Sequence, residues 1–190
     1  MIVDSAERKK IDCLAEKIRN IIDPNFNNIS LEEYLEKKGI EVRYFDDERF
    51  DAFLKWDREE KRPIIAVNAM APRVRQRFSI AHELGHLILD WRWVPGVDNS
   101  DVIAELNQNE YLSAQYRGKE NYTADEQKQE QYANEFAAAF LVPESALKKI
   151  NDSNDNYDKA IEEIMLEFGV SEQAANIRLQ NYLWRKTSEQ

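Results

Sequence analysis

The chain contains only two histidines, and they stand four residues apart in Arg77-Phe78-Ser79-Ile80-Ala81-His82-Glu83-Leu84-Gly85-His86-Leu87-Ile88. Val74, Phe78, Ala81, Gly85 and Ile88 form one stripe at helical spacing, which predicts a single amphipathic helix over 72–91. On that helix His82 and His86 are one turn apart on the same face, so both imidazoles reach one ion of the size and geometry of Zn²⁺. Glu83 projects beside them. A carboxylate there is placed to take a proton from water activated by the ion, not to bind the ion itself. A tetrahedral catalytic site needs one more protein ligand, with water in the fourth position. The chain has no third histidine, which excludes the H-E-x-x-H-x-x-G-x-x-H arrangement and leaves a carboxylate.

That carboxylate is sought on a second helix, predicted over 125–142 and closed by Pro143. Glu130, Ala133, Asn134 and Ala137 share one face, whereas Glu135 lies well round the cylinder. Glu130 is therefore read as the third ligand, and Glu135 is next in line if Glu130 is only a solvated carboxylate. Small residues at 133 and 137, with Gly85 on the histidine helix, let two helices come close enough to share an ion. Asn134, one turn beyond Glu130, is placed to orient a ligand through its amide. The competing reading of Asn134 is an ordinary surface amide.

The remaining segments supply a frame. Apolar spacing predicts a first helix over 4–22, stopping before Asp23-Pro24. Ser30 and Glu33 read as a capping box for a helix over 31–38, and Gly39 stands at its C-terminal end. Residues 40–45, 52–56 and 63–68 read as three short strands. Residues 92–124 are polar and irregular, and three further helices are expected over 144–150, 157–168 and 172–184. The expected fold class is α+β and helix-dominated, one domain over 1–190 built around the metal site. It comprises N-terminal helices over 1–38, a small three-stranded, mainly antiparallel sheet over 40–68 packed on the H-E-x-x-H helix at 72–91, the Glu-ligand helix at 125–142 and C-terminal helices over 144–184.

Composition narrows the setting. Lys and Arg total 26 against 36 Asp and Glu, a net charge of −10, which disfavours an extended nucleic-acid surface because duplex affinity comes largely from cations on phosphates. No apolar run approaches the roughly 18 residues of a membrane helix. Acids and bases occupy the first ten positions, where a secretory signal carries its apolar core. A cytoplasmic location is expected, with the single cysteine, Cys13, a small buried hydrophobe beside Ile11, Leu14 and Ile18.

Two long stretches resemble the ImmA/IrrE-type metallopeptidases. They are the segment from Arg77 through the histidines to Leu89, and Glu130-Gln131-Tyr132-Ala133-Asn134-Glu135-Phe136-Ala137-Ala138-Ala139-Phe140-Leu141-Val142-Pro143. Phe168-Gly169-Val170-Ser171 with Arg178-Leu179 is similar to the family's C-terminal helix pair, and the likeness spans about residues 30–185. The resemblance implies a gluzincin-like, zincin-type fold with one Zn²⁺ per chain and Glu130 in the ligand position of an E-x-x-A-[DN] pattern. It also implies a substrate: a helix-turn-helix transcriptional repressor, cut at one site to release stress-response or mobile-element genes. No N-terminal helix-turn-helix module is evident, so a stand-alone peptidase is expected.

Other readings stay open at this level. The turn at Gly169-Val170-Ser171 looks like that of a DNA-binding helix pair, but Glu162, Glu163 and Glu167 on its first helix would face phosphates. A zinc-containing binding module without activity is the other alternative, and Glu83 argues against it because a purely structural site has no use for a base. Oxyanion stabilisation falls to Tyr111, Tyr116, Tyr122, Tyr132 or Arg117, with no basis for choosing among them. Substrate is expected as an extended segment along an edge strand, taken to be 52–56.

Overall fold

The computed structural model describes residues 5–22, 30–116 and 122–188. In chain order these form α1 (Ser5–Ile22), α2 (Leu31–Lys37), β1 (Glu41–Phe45), β2 (Phe50–Asp57), β3 (Arg62–Asn68), α3 (Arg73–Leu89), α4 (Ser100–Leu106), β4 (Tyr111–Tyr116), α5 (Ala124–Leu141), α6 (Glu144–Ser153), α7 (Tyr157–Phe168) and α8 (Glu172–Ser188). The fold is α+β and dominated by helices, with none among the described residues long and apolar enough to cross a membrane.

The sheet has four strands, not three, in the order β1-β3-β2-β4. β3 lies between β1 and β2, parallel to the first and antiparallel to the second. β4 adds antiparallel to the other side of β2. The sheet is thus mainly antiparallel, as expected, but β2 is interior and β4 is the end strand. The expectation of an edge at 52–56 fails because β4 arises from a segment whose polar, uneven sequence hides its strand character. With β2 paired on both sides, a proline in it would remove a donor from one of its ladders.

β3 is buried from Pro63 to Asn68 because strands flank it and α3 covers it. At its end the fully buried Asn68 amide donates to the carbonyls of Asp47 and Phe50, each at 2.9 Å, and its Oδ1 accepts from the Met70 N–H at 2.8 Å. Gln76 then donates to the Asn68 and Ala69 carbonyls at 3.2 and 3.0 Å. The turn from strand into α3 is therefore pinned from both sides, which fixes where the histidine helix begins.

α5 lies across α3 at Gly85. A Cβ there would stand 3.2 Å from both the Cα and the carbonyl oxygen of Ala133, and as close to the Phe136 ring. Thr123 and Glu126 form a reciprocal capping box at the start of α5. At its other end Arg19 of α1 donates to the Phe140 and Leu141 carbonyls at 2.6 and 2.9 Å, satisfying groups the helix cannot bond itself. The box read at Ser30 forms only halfway: Ser30 accepts from the Glu33 N–H, while the Glu33 carboxylate bonds Lys37.

The two ends of the chain meet through buried charge. Asp12 of α1 pairs with Arg178 at 3.0 Å and Arg185 at 2.7 Å, both on α8, and all three side chains are over nine-tenths buried. This arrangement corrects the reading of Cys13, which is exposed. The inward face of α1 carries Ile11, Asp12, Ala15, Ile18, Arg19 and Ile22, and Cys13 falls outside it. Between α7 and α8, Gly169 takes a left-handed conformation at φ 59°. Arg77 of α3 donates to the Phe168 carbonyl at 3.2 Å, seating that turn on the histidine helix.

Replacing Gly85 with Val should therefore force the α3 and α5 backbones apart and cost about 2 kcal/mol. Urea unfolding read by circular dichroism checks this, and an unchanged midpoint would show that the approach is not tight.

Candidate metal centre

His82, Glu83 and His86 lie in the most deeply buried stretch of α3, at 0%, 0% and 4% exposure. Their partners are supplied by three different elements. Glu130 on α5 reaches across with Oε2 3.3 Å from His82 Nε2 and Oε1 3.4 Å from His86 Nε2. The two Nε2 atoms are 3.1 Å apart. A tetrahedron with bonds of about 2.05 Å has edges of about 3.3 Å, so these separations suit ligands of one Zn²⁺-sized ion. Among the described residues, His82, His86 and Glu130 form a group able to hold a metal, with ligand atoms all within 4.8 Å of one another.

The outer ring nitrogens are committed elsewhere. His82 Nδ1 lies 3.1 Å from the Asn134 side-chain Oδ1, and His86 Nδ1 lies 2.6 Å from Asp90 Oδ2. Both partners are acceptors, so each Nδ1 carries a hydrogen and each Nε2 is left to hold a cation, a proton or a metal ion. Two facing lone pairs beside a carboxylate repel unless a positive charge sits between them, and this donor set fits a cation. The electrostatics agree. Burial opposes charge on His86, but hydrogen bonds to Asp90 and Glu130 and the nearby Glu83 carboxylate raise its pKa to about 10. Burial likewise opposes ionisation of Glu130, yet its bonds to His82 and His86 hold it at about 2.

Glu83 does not join the ligand cluster. Its Oε2 accepts a hydrogen bond from the Ser113 hydroxyl on β4, and its buried Oε1 has no hydrogen-bond partner among the described residues. A cleft of about 400 Å³ opens beside His86 and Glu130, with Trp91, Ser113 and Tyr122 on its walls.

Among the oxyanion candidates, Tyr122 alone is seen on that cleft. Tyr111 is exposed against Phe53 and Lys55, and Tyr132 sits by Lys128. The side chain of Tyr116, and Arg117 altogether, lie outside the described residues. Glu135 points away from the centre and pairs with Arg8 at 3.2 Å. Asp90 and Ser113 escaped the sequence reading. Asp90 could have been found, since it stands four residues beyond His86 on the same helical face, but nothing in the spacing marks Ser113.

No curated protein matches the chain. Among solved structures, a Mycobacterium tuberculosis transcriptional regulator is similar in fold, with a TM-score of 0.51 and 20% identity over 87% of this chain. The likeness covers 45% of that regulator, so the present chain spans less than half its length. The Peptidase_M78 family, described as an IrrE N-terminal-like domain, matches residues 35–92 and 103–180. Those stretches hold His82, Glu83, His86, Asp90, Ser113, Glu130 and Asn134, and the chain belongs to the Peptidase_M78, IrrE N-terminal-like family.

Proposed function

We propose that the protein is a zinc-dependent endopeptidase that cuts a helix-turn-helix transcriptional repressor at one site. The observation that carries the reading is the convergence of His82 Nε2, His86 Nε2 and the Glu130 carboxylate, each in contact with the other two at 3.1–3.4 Å, beside a buried carboxylate outside that set. Membership of a peptidase family supports the chemistry, and the choice of target follows the resemblance to the ImmA/IrrE-type metallopeptidases.

Bound by His82, His86 and Glu130, zinc would polarise the scissile carbonyl and acidify the attacking water. Glu83 takes the proton of that water as its oxygen bonds the carbonyl carbon, then gives it to the nitrogen as the C–N bond breaks. Asp90 and Asn134 hold the two imidazoles in the tautomer and direction that metal binding needs. Tyr122 is the donor best placed to stabilise the oxyanion. The substrate lies extended along β4, whose outer edge has main-chain groups free of strand pairing among the described residues.

Purified protein should hold about one zinc per chain. Glu130→Ala should abolish tight binding, and Asp90→Ala should weaken it roughly 10- to 100-fold, measured by competition with a chromogenic chelator. Zinc affinity unchanged in Glu130→Ala would remove that residue from the site.

Glu83→Gln should keep the fold and the zinc and lose cleavage. Cells expressing either form, compared by mass spectrometry of new protein N-termini, should yield a cut repressor with the parent protein only. The same Glu83→Gln variant, mixed with a peptide spanning that bond, should slow hydrogen exchange in the β4 amides. Protection elsewhere but not at β4 would contradict the strand-addition geometry.

Tyr122→Phe should lower kcat on that peptide about a hundredfold with zinc affinity intact. A rate equal to the parent would exclude Tyr122 as the oxyanion donor.

A further inference from the structure

β4 does not pair regularly with β2. Leu54 stands opposite Ser113 and Lys55 opposite Tyr111, so one step along β2 spans two along β4 and leaves Leu112 as an extra residue. In an even strand Tyr111 and Ser113 would point the same way. Here they do not. Tyr111 is exposed on the outer face, against the Phe53 ring and Lys55. Ser113, opposite the fully buried Leu54, turns toward α3 and donates its hydroxyl to Glu83 Oε2. The bulge is itself anchored: Leu112 packs in the core, and its carbonyl accepts from the Trp91 indole at 3.1 Å.

We propose that Ser113 is a positioning residue for Glu83, and that the Leu112 bulge serves to aim it. The proposal rests on the peptidase reading. Bulges beside active sites commonly redirect one side chain in this way. Glu83 needs such a partner because it is 0% exposed, and the last torsion of a glutamate is broad and soft. With Oε2 held by Ser113, Oε1 has no partner among the described residues and is the oxygen open to the water's proton. The arrangement also joins two parts of the reaction, since the strand proposed to hold the substrate and the base proposed to act on it are linked through one hydroxyl.

The test uses the full chain with zinc bound, as Ser113→Ala and Ser113→Thr. Threonine keeps the hydroxyl and suits a strand. With ¹³C-labelled glutamate carboxyls, the Glu83 signal is the one missing from Glu83→Gln. It should move in Ser113→Ala and stay in place in Ser113→Thr. On the peptide identified above, Ser113→Ala should lower kcat about 10- to 100-fold with KM within about twofold, and Ser113→Thr should restore most of the loss. A hydroxyl that served only the packing of β4 would change the melting temperature without this split. The proposal is overturned if the Glu83 signal does not move in Ser113→Ala, if that variant turns over like the parent, or if threonine fails to rescue it. Should parent and Glu83→Gln prove equally inert toward every protein, the peptidase reading falls, and the carboxyl signal still decides whether Ser113 holds Glu83.

Discussion

Everything at the centre depends on how closely α5 can approach α3. The histidines and the Glu130 carboxylate come from different helices, yet their facing atoms lie 3.1–3.4 Å apart. Helices normally pack with axes 8–10 Å apart, and the near end of that range requires small residues at the contact. Gly85 on α3 and Ala133 on α5 meet this requirement where the helices cross. Phe136 and Phe140, both fully buried and stacked with ring centroids 6.0 Å apart, fill the space beyond the crossing. A bulkier residue at either position would move Glu130 away from the imidazoles without touching any of them.

Electrostatics then determine what can occupy the place so formed. Glu83, Asp90 and Glu130 bring three carboxylates around two buried imidazoles at the floor of a cleft, where charge interactions are stronger than at the open surface. The raised His86 and depressed Glu130 express one fact, that the surroundings favour added positive charge. A divalent ion would meet that demand better than a single proton, because it could bond His82, His86 and Glu130 together.

How much of this was legible in the sequence depended on periodicity. His82, Glu83 and His86 could be read because a helix converts a four-residue spacing into a shared face. The same rule separated Glu130 from Glu135, and the structure puts Glu135 on the opposite side, paired with Arg8. Asn134 was legible for the same reason. The sheet was not fully legible. β4 breaks the two-residue alternation at Leu112 and is rich in polar side chains, so its pattern resembles a loop, and with β4 hidden β2 looked like an edge. Ser113 was beyond reach, because its partner lies 30 residues away and their meeting depends on the bulge. Cys13 was misjudged because the buried face of α1 includes two charged residues, Asp12 and Arg19, that apolar pattern matching counts as outward.

The buried pairing of Asp12 with Arg178 joins residues 166 positions apart, and this bears on how the protein is made. Arg178 also approaches Glu135 at 3.9 Å, so the face of α5 opposite Glu130 is held by both ends of the chain. During synthesis α1 leaves the ribosome long before α8, and until α8 follows, Asp12 has neither arginine against which to bury its charge. The stretch carrying the histidines and Glu130 emerges while α5 is still unclamped on that side. Closure of that face of α5 therefore waits on the translation of α8, which follows the histidines and Glu130 in the chain.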